Sequence, residues 1–269
     1  MINSISRIIV TKIMILVGLS CSISILFVNQ ANANNASYIS LSGQIARKNQ
    51  LDVTANNVAN INTTGFEQDA VITRDVKVKQ NSRNSNSFVW TETTYRNGEQ
   101  GAIKITNRPT DVAISGEGYF KVMTPRGTRY TLDGSMFINN QGVLVNSSGY
   151  PYLSTNNSII EIPAEFQNFD ITSSGAIFID GEEIERIGVF GFTTKDPIIK
   201  EGGNLYSIKG ADFALEEFTL ISGAVRGSNV NSTKSMVEMI EVQRDYSLMV
   251  DFMSKINETE TSAINKLAK

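Results

Sequence analysis

Histidine is absent from the 269 residues, and cysteine occurs once, at Cys21. The first absence removes the commonest general base, the usual metal ligand and every triad built on imidazole. The second excludes an internal disulfide and any CxxC metal site, so the fold has to be held by packing. Proline is scarce, at five residues, and no run of basic residues interleaved with aromatics marks a nucleic-acid partner. Net charge is −3, with charged residues at 19% and hydrophobic residues at 41%, which excludes both a disordered tail and a many-pass membrane protein.

The one long apolar run lies near the start. Arg7 and Lys12 precede Ile13–Val28, and Asn29-Gln30-Ala31-Asn32-Ala33 follows. A basic region, an apolar core and Ala-x-Ala have the form of a secretory signal peptide, with cleavage expected after Ala33. The apolar run spans about 24 Å as a helix, short of the ~30 Å hydrocarbon core, so membrane contact is expected only through residues 1–33 if they are retained. Removing Arg7 and Lys12 leaves 22 basic against 27 acidic residues, and removes the only cysteine.

Two helical segments bracket a long β-patterned middle. From about Asn35 to Asn60, the residues Tyr38, Leu41, Ile45, Leu51, Ala55 and Val58 recur near helical spacing. The segment ends at Asn60-Ile61-Asn62-Thr63-Thr64-Gly65, where Gly65 suits a left-handed helix exit. From about Ser232 to the end, Met239, Val242, Tyr246, Met249, Met253, Ile256, Glu260, Ala263 and Leu267 alternate at spacings of three and four, a heptad seam. Ser232, Ser235 and Glu238 form its expected cap region. A helix of that length extends about 54 Å, more than one globular domain ordinarily uses. The seam suits either a pairing with the first helix or packing between chains, and both readings stay open.

Between the helices, short apolar runs alternate with Gly, Asn and Ser turns. Strands are expected at Val71–Val78, Phe88–Tyr95, Gly101–Thr106, Val112–Ser115, Tyr119–Met123 and Arg129–Leu132. Further ones fall at Phe137-Ile138, Val143–Val145, Ile171-Thr172, Ala176–Ile179, Val189–Thr193, Leu205–Ile208 and Phe218–Ile221. Hairpin turns are expected at Pro125-Arg126-Gly127 and Asn139-Asn140-Gln141-Gly142. The spacing argues for an antiparallel sandwich or barrel-like domain.

The expected fold is therefore mixed α and β: long N- and C-terminal helices packed as a coiled-coil-like layer, with an antiparallel β domain inserted. Its segments are the extension at 1–33, the first helix and exit turn at 34–66, the β-rich middle at 67–226 and the heptad helix at 227–269.

Acidic residues beside glycine invite a chemical reading. Asp111, Asp133, Asp180 and Glu182-Glu183 suggest either paired catalytic carboxylates, with Asp111 and Asp133 as the pair of a hydrolase, or a calcium loop. At hairpin tips such residues are turn formers first, and no EF-hand or HExxH spacing is present. Gly116-x-Gly118 reads as a tight turn rather than a dinucleotide fingerprint. No catalytic residue, metal or cofactor is expected.

Three stretches carry a family resemblance. Leu51-Asp52-Val53-Thr54-Ala55-Asn56-Asn57-Val58-Ala59-Asn60, continuing to Thr63-Thr64-Gly65-Phe66, resembles the ANN[LV]AN…T-x-GF signature of flagellar rod and hook proteins. Pro109-Thr110-Asp111-Val112-Ala113-Ile114 through Gly116-Glu117-Gly118-Tyr119-Phe120, with Arg129-Tyr130-Thr131-Leu132-Asp133-Gly134, resembles the core motif of that family. Ser228-Asn229-Val230, leading through Met236–Ile240 to Gln243-Arg244-Asp245-Tyr246, is similar to its C-terminal entry. The short span between Phe66 and Gly116 looks like that of proximal-rod members.

The resemblance implies a structural rod subunit, assembled by its terminal helices, that transmits torque and lines an export passage. It implies itself and neighbouring rod proteins as partners, with no nucleic acid and no small-molecule substrate, in the periplasmic part of the basal body. The implied assembly interface comprises Leu41, Ile45, Asn56, Asn57, Asn60, Met239, Val242, Tyr246, Met249, Met253, Ile256 and Leu267, with an exit turn at Thr63, Thr64, Gly65 and Phe66. The extension at 1–33 departs from the family, whose rod members leave through the flagellar channel. It keeps a second reading open, a secreted or membrane-tethered β-rich envelope binding protein sharing the rod fold.

Overall fold

A computed structural model describes residues 37–81, 84–96, 98–193 and 198–268. The signal-like segment lies outside them. Helix α1 (37–59) opens the described chain, seventeen strands follow among the described residues, and α2 (Ser232–Leu267) closes it. The mixed character and the two terminal helices are as the periodicity predicts. None of the described helices is long and apolar enough to cross a membrane.

The chain divides into two compact units. One gathers the described residues up to Thr54, Ala70–Tyr95 and those from Val237 onward. Here α1 and α2 pack together: Arg47 pairs with Asp245 at 3.4 Å, and the Met249 thioether lies over Gly43. As the α1 number rises the α2 number falls, so the helices run antiparallel. Strands β1 (Asp69–Asn81) and β2 (Asn84–Arg96) form a two-stranded ribbon. The ribbon meets α1 through the Val89 amide, which donates to Ser42 Oγ at 3.4 Å, and through Asn49 Nδ2, which donates to Thr91 Oγ1 at 3.4 Å.

The other unit, Ala55–Asp69 with Arg96–Met236, is the β core. Strands β3 (Ile103–Ile105), β4 (Val112–Ser115), β5 (Tyr119–Thr124) and β6 (Gly127–Thr131) open it, followed by β7 (Phe137–Ile138) and β8 (Leu144–Val145). Strands β9 (Phe169–Ile171), β10 (Ala176–Ile179), β11 (Glu182–Arg186) and β12 (Val189–Phe192) come next. The last are β13 (Ile198–Glu201), β14 (Leu205–Ile208), β15 (Asp212–Ala214), β16 (Thr219–Ser222) and β17 (Ala224–Arg226).

Six of these make one sheet in the order β13-β14-β6-β5-β12-β15, a three-stranded sheet runs β11-β10-β9, and two-stranded sheets pair β4 with β16 and β3 with β17. The strands in these sheets pair antiparallel, in hairpins such as β5–β6, β10–β11 and β13–β14 and between distant strands such as β4 and β16 or β3 and β17. Pro125-Arg126 is the two-residue loop between the paired Thr124 and Gly127. Asp180-Gly181, both at positive φ, turns β10 into β11.

Alternation along β5 sets the two faces of the large sheet. Phe120 and Val122 enter a core with Val112, Ile114, Met136, Leu144, Tyr152, Ile177 and Ile187. Tyr119 faces the other way, toward a second cluster around Tyr130, Phe190 and Tyr206. Lys121 shares that second face. Its ammonium reaches Asp212 at 2.6 Å and Asn157 at 2.7 Å and lies 4.7 Å from the centre of the Phe190 ring. Burial alone would raise the Asp212 pKa, but the Lys121 hydrogen bond and charge hold the carboxyl below its usual range.

Candidate functional site

The densest polar construction in the β core is the junction where α1 ends and α2 begins. The helix tightens before it stops: the Asn60 amide reaches the carbonyls of Asn56 and Asn57 at 3.2 and 3.1 Å. Asn60 Nδ2 also donates to the Asn56 carbonyl at 2.8 Å. Asn57 is buried and faces inward. Its carboxamide donates to the Asp69 carbonyl at 2.7 Å and accepts the Asp69 amide at 3.0 Å, so one side chain completes the backbone bonding of a residue twelve positions on. Asn56 is exposed.

Gly65 carries the sharp part of the turn, at φ 66°. A Cβ there would sit 2.4 Å from the Leu132 carbonyl carbon, so only glycine permits both the conformation and the approach. The Gly65 amide donates to the Arg226 carbonyl at 2.8 Å, fastening the exit of α1 to β17. Thr63 Oγ1 donates to the Asn60 side chain at 3.0 Å, and Thr64 Oγ1 donates to the Asp133 carboxylate at 2.6 Å.

Phe66 is buried, and the Lys200 ammonium lies 4.0 Å from the centre of its ring. Lys200 Nζ also donates to the Glu67 carbonyl at 2.7 Å and to the Asp69 carboxylate at 2.8 Å. From the same β13–β14 hairpin, Asn204 Nδ2 donates to the Thr64 carbonyl at 2.8 Å, and the Tyr206 hydroxyl donates to Glu67 Oε2 at 3.2 Å. The hairpin therefore holds the turn at Thr64, Phe66, Glu67 and Asp69, and Gln68 is left to another group. That group is Asn229, whose Oδ1 accepts the Gln68 amide at 2.6 Å while its Nδ2 donates to the Glu99 carbonyl at 2.8 Å.

Beyond Asn229, Asn231 caps α2, its Oδ1 accepting the Lys234 amide at 3.0 Å. The cap thus falls one residue before the expected Ser232. Arg226, buried beneath the junction, donates to the Ile114 and Gly116 carbonyls. Burial lowers the pKa of its guanidinium, and the nearby Glu67 charge opposes that shift.

Asp111 and Asp133 are both buried, but each has a structural task. Asp111 accepts a fork from Arg108 and a hydroxyl from Thr106. Asp133 accepts Thr64 and the Ser135 amide; burial raises its pKa, against the lowering effect of those two bonds. Asp180 closes a loop by accepting the Gln167 and Asn168 amides. Among the described residues, no cluster of acidic or sulfur ligands is arranged for a metal.

In the helical unit, Val242 is buried and Met239, Tyr246, Met249, Met253 and Ile256 are half-buried, at the spacing of the sequence seam. Leu267 at the far end is 74% exposed. On the part of α1 that belongs to this unit the buried positions are Ser40, Gly43, Ala46 and Thr54, whereas Leu41 and Ile45 are 42% and 53% exposed. Sequence reasoning marks the exit turn and reaches Asn229 through its motif, but it misses Lys200, Asn204 and Tyr206. These lie more than a hundred residues from the turn, in a hairpin with no signal beyond ordinary strand alternation.

Comparison with known proteins matches three families along the chain. "Flagella basal body rod protein" covers residues 38–66, which hold α1 and the exit turn. "Flagellar hook protein FlgE/F/G D1 domain" covers 113–179, and "Flagellar basal body rod FlgEFG protein C-terminal" covers 221–266. The flagellar basal-body rod protein FlgF of Caulobacter vibrioides is 31% identical over 88% of this chain and 99% of its own length. FlgG of Bacillus subtilis is 32% identical over 78% of this chain and 90% of its own. FlgF of Mesorhizobium japonicum is 29% identical over 86% and 96%. The chain belongs to the flagellar basal-body rod protein family, as a structural subunit.

Proposed function

We propose that the chain takes an FlgF-like place in the rod and assembles through its terminal helices, packed in a coiled-coil-like layer with those of neighbouring rod proteins. The observation that carries this reading is the division of apolar surface on the helices. Small residues of α1 are buried, while Leu41 and Ile45 remain exposed on a helix that already has α2 beside it. Exposed aliphatic positions at helical spacing suit a second helical neighbour. The half-buried methionines of α2 suit neighbours of differing sequence, because the thioether side chain adapts to irregular surfaces.

Asn56, Asn57, Asn60 and the turn from Thr63 to Phe66 set how the chain leaves α1. Torque would pass through this junction, and contacts that repeat without closing would extend the subunits into a tube with a passage for exported proteins. The periplasmic part of the basal body follows from that role, and residues 1–33 are read as a segment removed after Ala33.

Truncation before Ile256 tests the proposal. Loss of the protein from purified basal bodies, with the β core still folded by circular dichroism and protease resistance, is the expected result. Normal flagella built from the truncated chain would overturn it. The mass of the wild-type protein in the same basal bodies reads the processing: a start at Asn34 supports removal of the segment, and an intact Met1 refutes it.

A further inference from the structure

Lys121 projects from β5 onto the aromatic face of the large sheet and is only 7% exposed. Its Nζ lies 4.7 Å from the centre of the Phe190 ring and 5.8 Å from that of Tyr130. Two acceptors converge on it from distant parts of the chain. Asp212 Oδ2, from β15, lies at 2.6 Å, and Asn157 Oδ1, from a turn between β8 and β9, at 2.7 Å. The Tyr130 hydroxyl is hydrogen-bonded to the same Asp212 carboxylate.

The turn holds Asn157 in this approach. Asn157 sits at φ 62°, its amide donates to the Ser154 carbonyl at 3.0 Å, and Ser154 Oγ accepts the Asn156 amide at 3.1 Å. With a C=O bond of about 1.23 Å, Asn157 Cγ lies no more than about 3.9 Å from Lys121 Nζ. Rotation about the soft last torsion of the side chain closes that to the ~3–3.5 Å of a near-attack geometry. A primary amine, a primary carboxamide and a carboxyl group touching the amine are the groups that amide exchange requires.

We infer that Lys121 and Asn157 join in an intramolecular isopeptide bond, with Asp212 as its acid–base catalyst. The Lys121–Asp212 ion pair is the resting state. A proton passes from Nζ to Asp212 Oδ2, which leaves a neutral amine and a neutral acid. Burial favours this transfer, because it removes both charges from a poorly solvated site. Nζ then attacks Cγ. Asp212 gives its proton to Nδ2 and takes another from Nζ as the Cγ–Nδ2 bond breaks. One hydrogen stays on the new amide nitrogen, one rests on Asp212, and the others leave as ammonia through the exposed turn. The link ties positions 36 residues apart, without an oxidant, in a chain whose one cysteine lies in the segment expected to be removed. It is independent of the rod reading.

The test is a tryptic digest of the purified, unfolded full chain. Linkage blocks cleavage after Lys121 and is expected to give a branched species joining Ile105–Arg126 to Tyr130–Arg186, lighter than the two peptides together by one ammonia. Fragment-ion masses place the bond at Lys121 and Asn157. Lys121→Arg, and Asn157→Gly, which keeps the positive φ, are expected to give separate peptides only. Asp212→Asn, with an unchanged circular dichroism spectrum, is expected to link about a hundredfold more slowly in freshly synthesised protein. Ordinary cleavage after Lys121 in the wild type, with no branched species, overturns the inference. So does a branched species that persists in Asn157→Gly, and linkage of Asp212→Asn at the wild-type rate overturns the role of the carboxyl group. Recovery of the chain in basal bodies reads the rod assignment separately.

Discussion

The side chain of Asn57 and the backbone of Asp69 form a closed pair, with Nδ2 donating to the carbonyl at 2.7 Å and Oδ1 accepting the amide at 3.0 Å. A carboxamide both donates and accepts in this geometry. It takes the place of a ladder partner for Asp69, the first residue of β1. Replacing it leaves two backbone groups orphaned at a buried site.

Asn57→Ala should therefore cost about 1–3 kcal/mol. Urea denaturation followed by circular dichroism should show a lower midpoint with an unchanged slope. Asn57→Asp should recover only part of the loss, since a carboxylate accepts the amide but repels the carbonyl. Equal stability of wild type and Asn57→Ala would mean that water replaces both bonds.

Gly65→Ala should be more damaging than the same change at Gly149. Both glycines have positive φ, so each substitution incurs backbone strain of about 1–3 kcal/mol. Only at Gly65 would an added Cβ meet the Leu132 and Asp133 backbone, at 2.4 and 2.5 Å, whereas at Gly149 it would meet open space. The difference in melting temperature between the two variants isolates the close approach.

Lys200 and Asp69 should be energetically coupled. Their 2.8 Å ion pair is about one-fifth exposed on each side, less screened than a surface pair. A double-mutant cycle with Lys200→Met and Asp69→Asn should return a coupling of about 0.5–3 kcal/mol. Coupling near zero would show that the Phe66 ring and the Glu67 carbonyl hold the ammonium without the carboxylate.

Asp133 should impose a pH dependence opposite to that of most paired carboxylates. Its folded pKa is raised, first by burial, so the folded state binds the proton more tightly than the unfolded state. Its contribution is fully present below the unfolded carboxylate pKa of about 3.9 and is lost as pH rises through the folded value. Relative to Asp133→Asn, the wild type should gain stability as pH falls from neutral toward about 4. Asp212, whose pKa is lowered, should act in the reverse sense, its contribution fading as pH falls below the usual carboxylate range. Thermal melts of wild type and both Asn variants across this window separate the two.

Local chemistry made much of the architecture legible. The 36 residues of α2 run from Ser232 to Leu267 as the heptad spacing predicts, because a long apolar stripe at that period fits no other structure. Strands such as Val112–Ser115 and Ala176–Ile179 fall where β-branched runs meet Gly and Asn turns. Strand β11, Glu-Glu-Ile-Glu-Arg, was hidden by its charges: it lies at a sheet edge, where hydrogen bonding to β10 needs no apolar side chain.

Helix periods, turn residues and the glycine at the exit are legible in the residues alone, since these rest on preferences of neighbouring residues for one another and for their own backbone angles. Composition also excludes imidazole chemistry and disulfides. Long-range packing set the rest: that Lys200, Asn204 and Tyr206 hold the turn, that Thr64 meets Asp133, and which apolar residues of α1 stay exposed. Those are contacts between segments up to 140 residues apart, set by how strands pair and sheets stack. No local preference encodes them, because the same residues would satisfy many alternative partners until packing selected one.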